Sequence, residues 1–204
     1  GAASVSKDAE VFSNAYIVDC VVSNCFGNWN GGIRGGTAIR TLIKDCGGGS
    51  WGESAISAAL WNCVIDGNIN YYGNSDRPAV GHRSLVVNCT FHGCAGSGTR
   101  GNTHVYNSVF TAGTGVYDIN RVDGGQWYPV GSDSHSYGKD ECKYSLFAPA
   151  MGDYRLLAGT VCVGGGKSSY LTDVINLPDW VEMKDYNGNP IDITKETCDA
   201  GAVQ

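Results

Sequence analysis

The sequence predicts an all-β fold, a right-handed parallel β-helix (a solenoid) of about six to seven coils with a C-terminal cap. Three observations predict it: a recurring phrase, a composition poor in helix formers, and the lack of a helical period. The phrase is clearest at residues 86–94, VVNCTFHGC. Its anchor residue returns at intervals of 21, 22, 26 and 19 positions, at Cys20, Thr41, Cys63, Cys89 and Ser108. A repeat of this length indicates a unit that buries its apolar face only by stacking on its neighbours.

The composition favours strands and excludes several classes of protein. Of the 204 residues, 30 are Gly and 17% are charged, and Asn, Val, Ile and Thr are frequent. The apolar residues show no helical period, and Leu does not recur at a fixed spacing, which argues against helical and leucine-rich repeats. A net charge of −6 without a Lys/Arg run argues against nucleic-acid partners. No apolar run is long enough for membrane insertion.

The repeated units are expected over residues 14–149, after an incomplete first coil or trimmed chain end at residues 1–13. Each unit is predicted to contain a short apolar strand, then the phrase, then a polar loop. Within the phrase, the anchor and the residue two positions later are small or apolar, so strand alternation turns both toward the core. The residue before the anchor predicts a ladder of stacked polar side chains at a tight bend: Asp19, Arg40, Asn62, Asn88 and Asn107.

The repeat is interrupted by an irregular excursion at about residues 114–141, a loop length that is usually functional or a packing flap. Ser145 then resumes the phrase as a sixth anchor. Residues 150–204 are expected to form the last coil and the C-terminal cap. The oligomeric state is left open by the sequence.

The nine cysteines fall mainly into two columns of the repeat. One column holds Cys20, Cys63 and Cys89, and the other, five residues further on, holds Cys25, Cys46 and Cys94. A small apolar thiol at one position of each coil favours buried free thiols, with disulfides between some pairs as the alternative. The better disulfide candidates lie outside the columns: Cys142, Cys162 and Cys198.

The end of the chain carries three motifs, at residues 152–156 (GDYRL), 185–190 (DYNGNP) and 199–203 (DAGAV). Together with the repeats, they resemble secreted bacterial right-handed parallel β-helix repeat proteins of the pectate-lyase-like superfamily, many of which end in a similar cap. The repeats are also similar to those of polymorphic surface proteins and adhesins. The resemblance implies a β-helix that is secreted or held at the cell surface. It does not imply one activity, because this superfamily includes enzymes, binding proteins, adhesins and tailspikes.

One candidate site is the column three positions after each anchor, which alternation turns outward. It contains Ser23, Lys44, Asp66, His92 and Thr111, with neighbours ~4.8 Å apart. If the protein is an enzyme, a lyase-like one, the catalytic residues are predicted to be Lys44, Asp66 and His92. Asp66 would orient His92, and Lys44 would neutralise a substrate carboxylate. The alternative is a solvated column in which opposite charges stack favourably.

A second candidate site is a set of aromatic side chains in polar loops. Trp29, Trp51, Tyr71 and Tyr72 follow the coils at one corner, with Arg77 nearby. Flat rings beside a hydrogen-bond donor suit the binding of sugar rings. The alternative is that these rings pack on the edge of the core.

The sequence supplies few other signatures of chemistry. It lacks the paired carboxylates of a hydrolase, an acidic calcium cluster, zinc spacing and a dinucleotide fingerprint, so neither a metal nor a cofactor is predicted. The prediction is an extracellular or cell-surface domain, a non-catalytic carbohydrate-binding or adhesion module whose partner is a host or cell-surface glycan. A polysaccharide lyase or glycoside hydrolase fragment, and a passive structural stalk, are the alternatives.

Overall fold

The computed structural model describes residues 3–4, 15–28, 30–48, 53–68, 79–81, 83–94, 99–100, 103–111 and 146–203. Within these ranges, helix is confined to the 3-10 turn Pro149–Met151 and the four-residue helix α1, Tyr170–Asp173. The predicted all-β class is confirmed. Neither helix of this part of the chain has the length and apolar character to cross a lipid bilayer.

The strands of the described residues are short. In chain order they are β1 (Ala3–Ser4), β2 (Tyr16–Val18), β3 (Val21–Ser23), β4 (Phe26–Gly27), β5 (Asn30–Arg34), β6 (Thr37–Ile39), β7 (Leu42–Gly48), β8 (Glu53–Ile56), β9 (Ala59–Trp61), β10 (Val64–Asn68), β11 (Val80–Gly81), β12 (Leu85–Val87), β13 (Thr90–Cys94), β14 (Thr99–Arg100), β15 (His104–Tyr106), β16 (Val109–Phe110), β17 (Leu146–Ala148), β18 (Asp153–Leu156), β19 (Gly166–Lys167) and β20 (Thr197–Cys198).

Three parallel sheets form the body of the molecule. Sheet A has the order β1-β5-β8-β11-β14, sheet B the order β2-β6-β9-β12-β15, and sheet C the order β3-β7-β10-β13-β16, with β4 also paired to β7. Each turn of the chain adds one parallel strand to every sheet, which is the arrangement of a parallel β-helix.

The number of coils is smaller than predicted. Three turns are described almost without a gap, β5–β7, β8–β10 and β11–β13, and shorter or interrupted turns flank them. The prediction of six to seven coils is therefore wrong for the described residues. The reason is that residues 146–203 form antiparallel strand pairs, β17 with β18 and β19 with β20, instead of further parallel rungs.

The interior of the coil is filled as the alternation predicts. Anchor residues such as Cys63 and Cys89 are fully buried, and so are Ile65 and Phe91 two positions later. Phe91 stacks on Phe110 of the next rung, with ring centroids 4.4 Å apart and planes 8° from parallel. Side chains at equivalent positions of successive rungs therefore pack on one another in the interior.

The bend between sheets B and C requires left-handed backbone at a non-glycine residue. Asp19, Arg40, Asn62, Asn88 and Asn107 have φ between 46° and 54°. Asn is among the residues that tolerate this region best, since its short side chain can bond locally.

The side chains at this bend form a partial ladder. Asn88 Nδ2 donates to Asn62 Oδ1 at 2.7 Å, and Arg40 Nε donates to Asp19 Oδ1 at 2.7 Å. Asn107 instead pairs with the backbone of Lys167, donating to its carbonyl at 2.8 Å and accepting from its N–H at 2.9 Å. The C-terminal segment therefore supplies the partner of the ladder at its last described rung.

The C-terminal segment, residues 146–203, packs on the outside of the coil. Leu171 and Ile175 cover the outer face of sheet B at Trp61, and Ala202 covers sheet C at Val64. Trp61 Nε1 donates to the carbonyl of Leu171 at 3.1 Å. The apolar outer faces of sheets B and C are thus buried by the chain's own C-terminal part.

The cysteines agree only in part with expectation. Cys46, Cys63 and Cys89 are buried free thiols, whereas Cys20 is exposed and Cys25 is half-buried. The difference arises because Cys20 and Cys25 lie in the first rung that the structure describes in sheets B and C, where β2 and β3 are the end strands. Among the disulfide candidates, Cys198 is a buried free thiol, Cys162 is buried, and Cys142 lies outside the described residues.

Candidate functional site

The outer column of sheet C brings together the three residues predicted from the sequence. In the register of β7, β10 and β13, Asp66 lies directly opposite Lys44 on one side and His92 on the other. The preceding residues on these strands are fully buried, which fixes the register and turns the column outward: Ile43, Ile65 and Phe91.

Asp66 is the centre of this column. His92 Nδ1 lies 2.8 Å from Asp66 Oδ1, and Lys44 Nζ lies 3.1 Å from Asp66 Oδ2. The Asp66 side chain is 11% exposed, against 23% for His92 and 40% for Lys44. The carboxylate therefore lies at the base of the site, with an ammonium group and an imidazole reaching solvent on either side.

A fourth side chain, Tyr154 of β18, completes the cluster from the C-terminal segment. Its hydroxyl donates to Asp66 Oδ2 at 2.6 Å, and the residue is 2% exposed. Its ring lies edge-on to His92, with centroids 6.3 Å apart, and packs among residues such as Val64 and Ala202. Tyr154 was not among the residues predicted for this site, because the motif at residues 152–156 indicates only a C-terminal cap.

The charges of the cluster are fixed by these contacts. Burial alone would raise the pKa of Asp66, but hydrogen bonds from His92, Tyr154 and Lys44 outweigh it and hold that pKa below its usual value. Burial, and then the Asp66 carboxylate, raise the pKa of Tyr154 well above its usual value. The hydrogen bond and charge of Asp66 also raise the pKa of Lys44. At neutral pH the site therefore holds a carboxylate, an ammonium and a protonated phenol.

The bend after the column places a second carboxylate near the site. Asp45 has a φ of 48°, and Gly67 and Gly93 at the equivalent positions have φ of 66° and 62°. A Cβ at Gly67 would lie 2.6 Å from Asp45 Oδ1, so a side chain at this position would force the carboxylate to move. Asp45 thus lies beside the column without belonging to it.

The remaining members of the outward column differ in their surroundings. Ser23 is exposed, whereas Thr111 is buried and its hydroxyl donates to the Phe91 carbonyl at 3.0 Å. Thr111 therefore does not present its hydroxyl at the outer face, in contrast to expectation. The solvent-facing part of the column consists of Ser23, Lys44 and His92 around the shielded Asp66.

The arrangement of these side chains is better suited to binding a ligand than to catalysing a reaction. Within the described residues, the two oxygens of Asp66 accept hydrogen bonds from three side chains. These bonds occupy the carboxylate, which holds the three side chains in place. A lysine ammonium has three N–H donors, and an imidazole bonded through Nδ1 keeps Nε2 for a further partner. Lys44 and His92 therefore offer hydrogen-bonding capacity to a ligand at the surface, and Lys44 also offers positive charge.

The predicted aromatic site cannot be placed in the same way. Trp29, Trp51, Tyr71, Tyr72 and Arg77 all lie outside the described residues, so this site stays a prediction. Within the ranges that the structure describes, no group of three or more His, Cys, Asp or Glu side chains is arranged to hold a metal ion.

Comparisons with protein-family models, with curated proteins and with solved structures gave no match. The observations that bear on function are therefore the parallel β-helix and the geometry of the Lys44–Asp66–His92 column.

Proposed function

We propose that this chain is an extracellular or cell-surface β-helix domain, of the bacterial pectate-lyase-like kind, that binds carbohydrate without changing it chemically. The observation that carries the proposal is the column on sheet C. Lys44 and His92 reach solvent on either side of Asp66, whose two oxygens are already bonded. The terminal motifs at residues 185–190 and 199–203, which resemble the caps of such proteins, support the proposed class and location.

The chemistry of the exposed groups favours an acidic glycan as ligand. The Lys44 ammonium attracts carboxylates, and it also donates to hydroxyls. His92 adds a second hydrogen-bonding group two rungs away along the coil axis. A polymer that runs along the axis across sheet C would meet both groups in turn.

The same contacts argue against hydrolysis. A glycosidase needs one carboxyl group as acid and a second as base or nucleophile. Asp66 accepts hydrogen bonds from Tyr154 and His92 and pairs with Lys44, and it is held ionised, so it is unsuited to donate a proton. Tyr154 is a poor base, because burial and the Asp66 carboxylate keep its phenol protonated.

A glycan array tests the proposal with three proteins: the wild type, Lys44→Met and Lys195→Met. Lys195 is a matched control, since its ammonium is an exposed cation that pairs with Asp192 at 3.5 Å and not with a residue of the column. We expect Lys44→Met to weaken glycan binding about ten- to hundredfold, the usual cost of a charged hydrogen bond, and Lys195→Met to leave it within about twofold. Equal losses in both variants, or no glycan bound by the wild type, would contradict the proposal. The second result would favour a passive stalk.

A polysaccharide lyase is the second candidate, and one contact favours it. The 2.8 Å bond between His92 Nδ1 and Asp66 Oδ1 orients the imidazole in the way that is common for a general base, and Lys44 lies on the opposite side of Asp66, two rungs from His92. A lyase acting on uronic-acid polymers forms an unsaturated product that absorbs in the ultraviolet. Product formation by the wild type, lost in His92→Gln, would establish this activity, and its absence would leave binding as the function.

A further inference from the structure

The two innermost columns of the coil contain cysteines on neighbouring rungs, and one pair differs from the rest in its exposure. Ser23 pairs with Lys44 and Phe26 with Gly47, so Cys25 and Cys46 lie opposite each other in the register. The N–H of Gly47 also donates to the carbonyl of Cys25 at 3.0 Å. Neighbouring strands are about 4.8 Å apart, which falls within the Cα separation of about 4.4–6.8 Å that a disulfide allows.

The two thiols also point the same way. Cys25 Sγ donates to the carbonyl of Ser23 at 3.3 Å, and Cys46 Sγ to that of Lys44 at 3.3 Å, in each case two residues back along the chain. Cys46 belongs to the interior apolar cluster, and Cys25 packs against the same cluster. The pair therefore meets the requirement of Cα spacing and has both thiols on the same side of the sheet, so a small rotation of the two side chains toward each other would bring the sulfur atoms together.

Solvent access distinguishes this pair from the others in the described part of the chain. Cys25 is half-buried in the first rung, while Cys63 and Cys89, also on neighbouring rungs, are both fully buried. Cys20 is exposed, but its position on the next rung is occupied by Thr41. Among the cysteines that the structure describes, only the pair of Cys25 and Cys46 combines a reachable sulfur with a thiol on the adjacent strand.

We propose that Cys25 and Cys46 form a reversible disulfide that locks the first described rung of sheet C onto the second. A small-molecule disulfide, such as oxidised glutathione, is the oxidant. The Cys25 thiolate attacks one sulfur of that molecule, which forms a mixed disulfide and releases one thiolate. The Cys46 thiol then loses its proton and attacks Cys25 Sγ, releasing the second thiolate. The protein gives up two electrons and two protons, and the oxidant leaves as two thiols.

The order of these steps follows from burial. Burial raises the pKa of Cys46 to about 11, so the half-buried Cys25 is the thiol that meets the oxidant first. The consequence concerns the first described rung, where Val21 is 65% and Phe26 55% exposed. A disulfide there closes a loop of the chain and holds the least buried rung in place. This inference does not depend on glycan binding.

The experiment uses the whole chain in its folded state, treated with oxidised glutathione. The remaining thiols are alkylated after unfolding, and the protein is digested and fragmented in a mass spectrometer. We expect a linked peptide in which Cys25 and Cys46 together lack two hydrogens. Cys20 should carry a glutathione adduct, and Cys63 and Cys89 should stay as thiols. A Cys25 that is left unmodified, or keeps glutathione without passing to Cys46, would overturn the proposal.

Cysteine variants provide a second test, which does not depend on the correct folding of any single variant. Oxidation should raise the Tm of the wild type by roughly 5–10 °C. The gain should vanish in both Cys25→Ser and Cys46→Ser, and Cys25→Ser alters only a half-buried position. The control Cys63→Ser should keep the gain, because it leaves the pair intact. A gain that persists in Cys25→Ser would show that another group is responsible.

Discussion

At the scale of single residues, the carboxylate of Asp66 determines how the candidate site is built. It is shielded from solvent, and a buried charge is costly unless it is paired and hydrogen-bonded. Three donors from different strands supply those bonds: Lys44 of β7, His92 of β13 and Tyr154 of β18. The carboxylate in turn holds each donor in place. The positions of Asp66 and of its three partners therefore depend on one another.

Tyr154→Phe tests this dependence. The substitution keeps the ring and removes the hydroxyl that donates to Asp66 at 2.6 Å, so we expect unfolding free energy to fall by about 1–3 kcal/mol. Tyr186→Phe is the matched control, because Tyr186 packs edge-on against Tyr154 and lies in the same apolar cluster. Denaturant titration of both variants measures the difference. Equal effects of the two substitutions would show that the hydroxyl contributes nothing specific.

The pH dependence of stability follows from the pKa of Asp66. Hydrogen bonds hold this pKa below its usual value in the folded state, so the folded protein binds fewer protons than the unfolded chain. The stabilisation is therefore complete above the unfolded pKa of about 4 and is lost as the pH falls further. We expect Asp66→Asn to reduce the loss of unfolding free energy between about pH 5 and pH 3, measured by denaturant titration at each pH.

The control for the acid experiment is Glu196→Gln, which removes an exposed carboxyl group. It should leave the slope of stability against pH close to that of the wild type. The comparison uses slopes, so any general destabilisation by Asp66→Asn does not affect it. A slope unchanged by Asp66→Asn would contradict the account of the pKa.

At the scale of elements, the bend between sheets B and C combines a backbone requirement with a side-chain bond. Asn88 has a φ of 54°, and its buried amide donates to Asn62 at 2.7 Å. A residue with a Cβ but no side-chain amide must adopt left-handed backbone dihedral angles without the stabilising hydrogen bond to Asn62. The bend therefore explains why Asn, which meets both needs, recurs at this position of the repeat.

Two substitutions at Asn88 separate the two requirements. Asn88→Gly loses the hydrogen bond but accepts the backbone, so we expect a cost of about 1–2 kcal/mol. Asn88→Ala loses the bond and also forces an alanine into the left-handed region, for about 2–4 kcal/mol in total. Thermal and denaturant unfolding measure both values. An alanine variant as stable as the glycine variant would show that the backbone conformation carries no cost.

At the scale of the whole molecule, the coil and the C-terminal segment share their apolar surfaces. The outer faces of sheets B and C are buried by residues 146–203, and Tyr154 carries that contact into the site. The site therefore exists only where the two parts meet. Its geometry depends on the C-terminal segment, residues 146–203, which does not belong to the repeat.

Much of this architecture was predictable from the sequence, because a repeat with strand alternation fixes both the sheets and their register. The same reasoning placed Lys44, Asp66 and His92 on one outward column, where they lie. The burial of the outer face of sheet B was also indicated by the sequence. Apolar residues occupy both phases of the alternation, as at Leu60 and Trp61, which is typical of strands buried on both faces.

Other features had no local signal. Tyr154 lies 88 positions from Asp66, in a segment without the repeat, so neither spacing nor alternation relates the two residues. The coil count failed for a similar reason. An apolar segment that covers the outside of a coil resembles one that continues it, since both supply residues that need burial. The difference lies in long-range contacts, which a single sequence does not specify.

The central claim, that the column on sheet C is a carbohydrate-binding site, is tested most directly by nuclear magnetic resonance of the histidine side chains. The protein is labelled with ¹⁵N and titrated with a short uronic-acid oligosaccharide at constant pH. We expect the resonances of the His92 ring nitrogens to shift saturably, while those of His104, which is exposed on sheet B, stay constant. The absence of saturable binding, or binding that leaves His92 unchanged, would contradict the central claim.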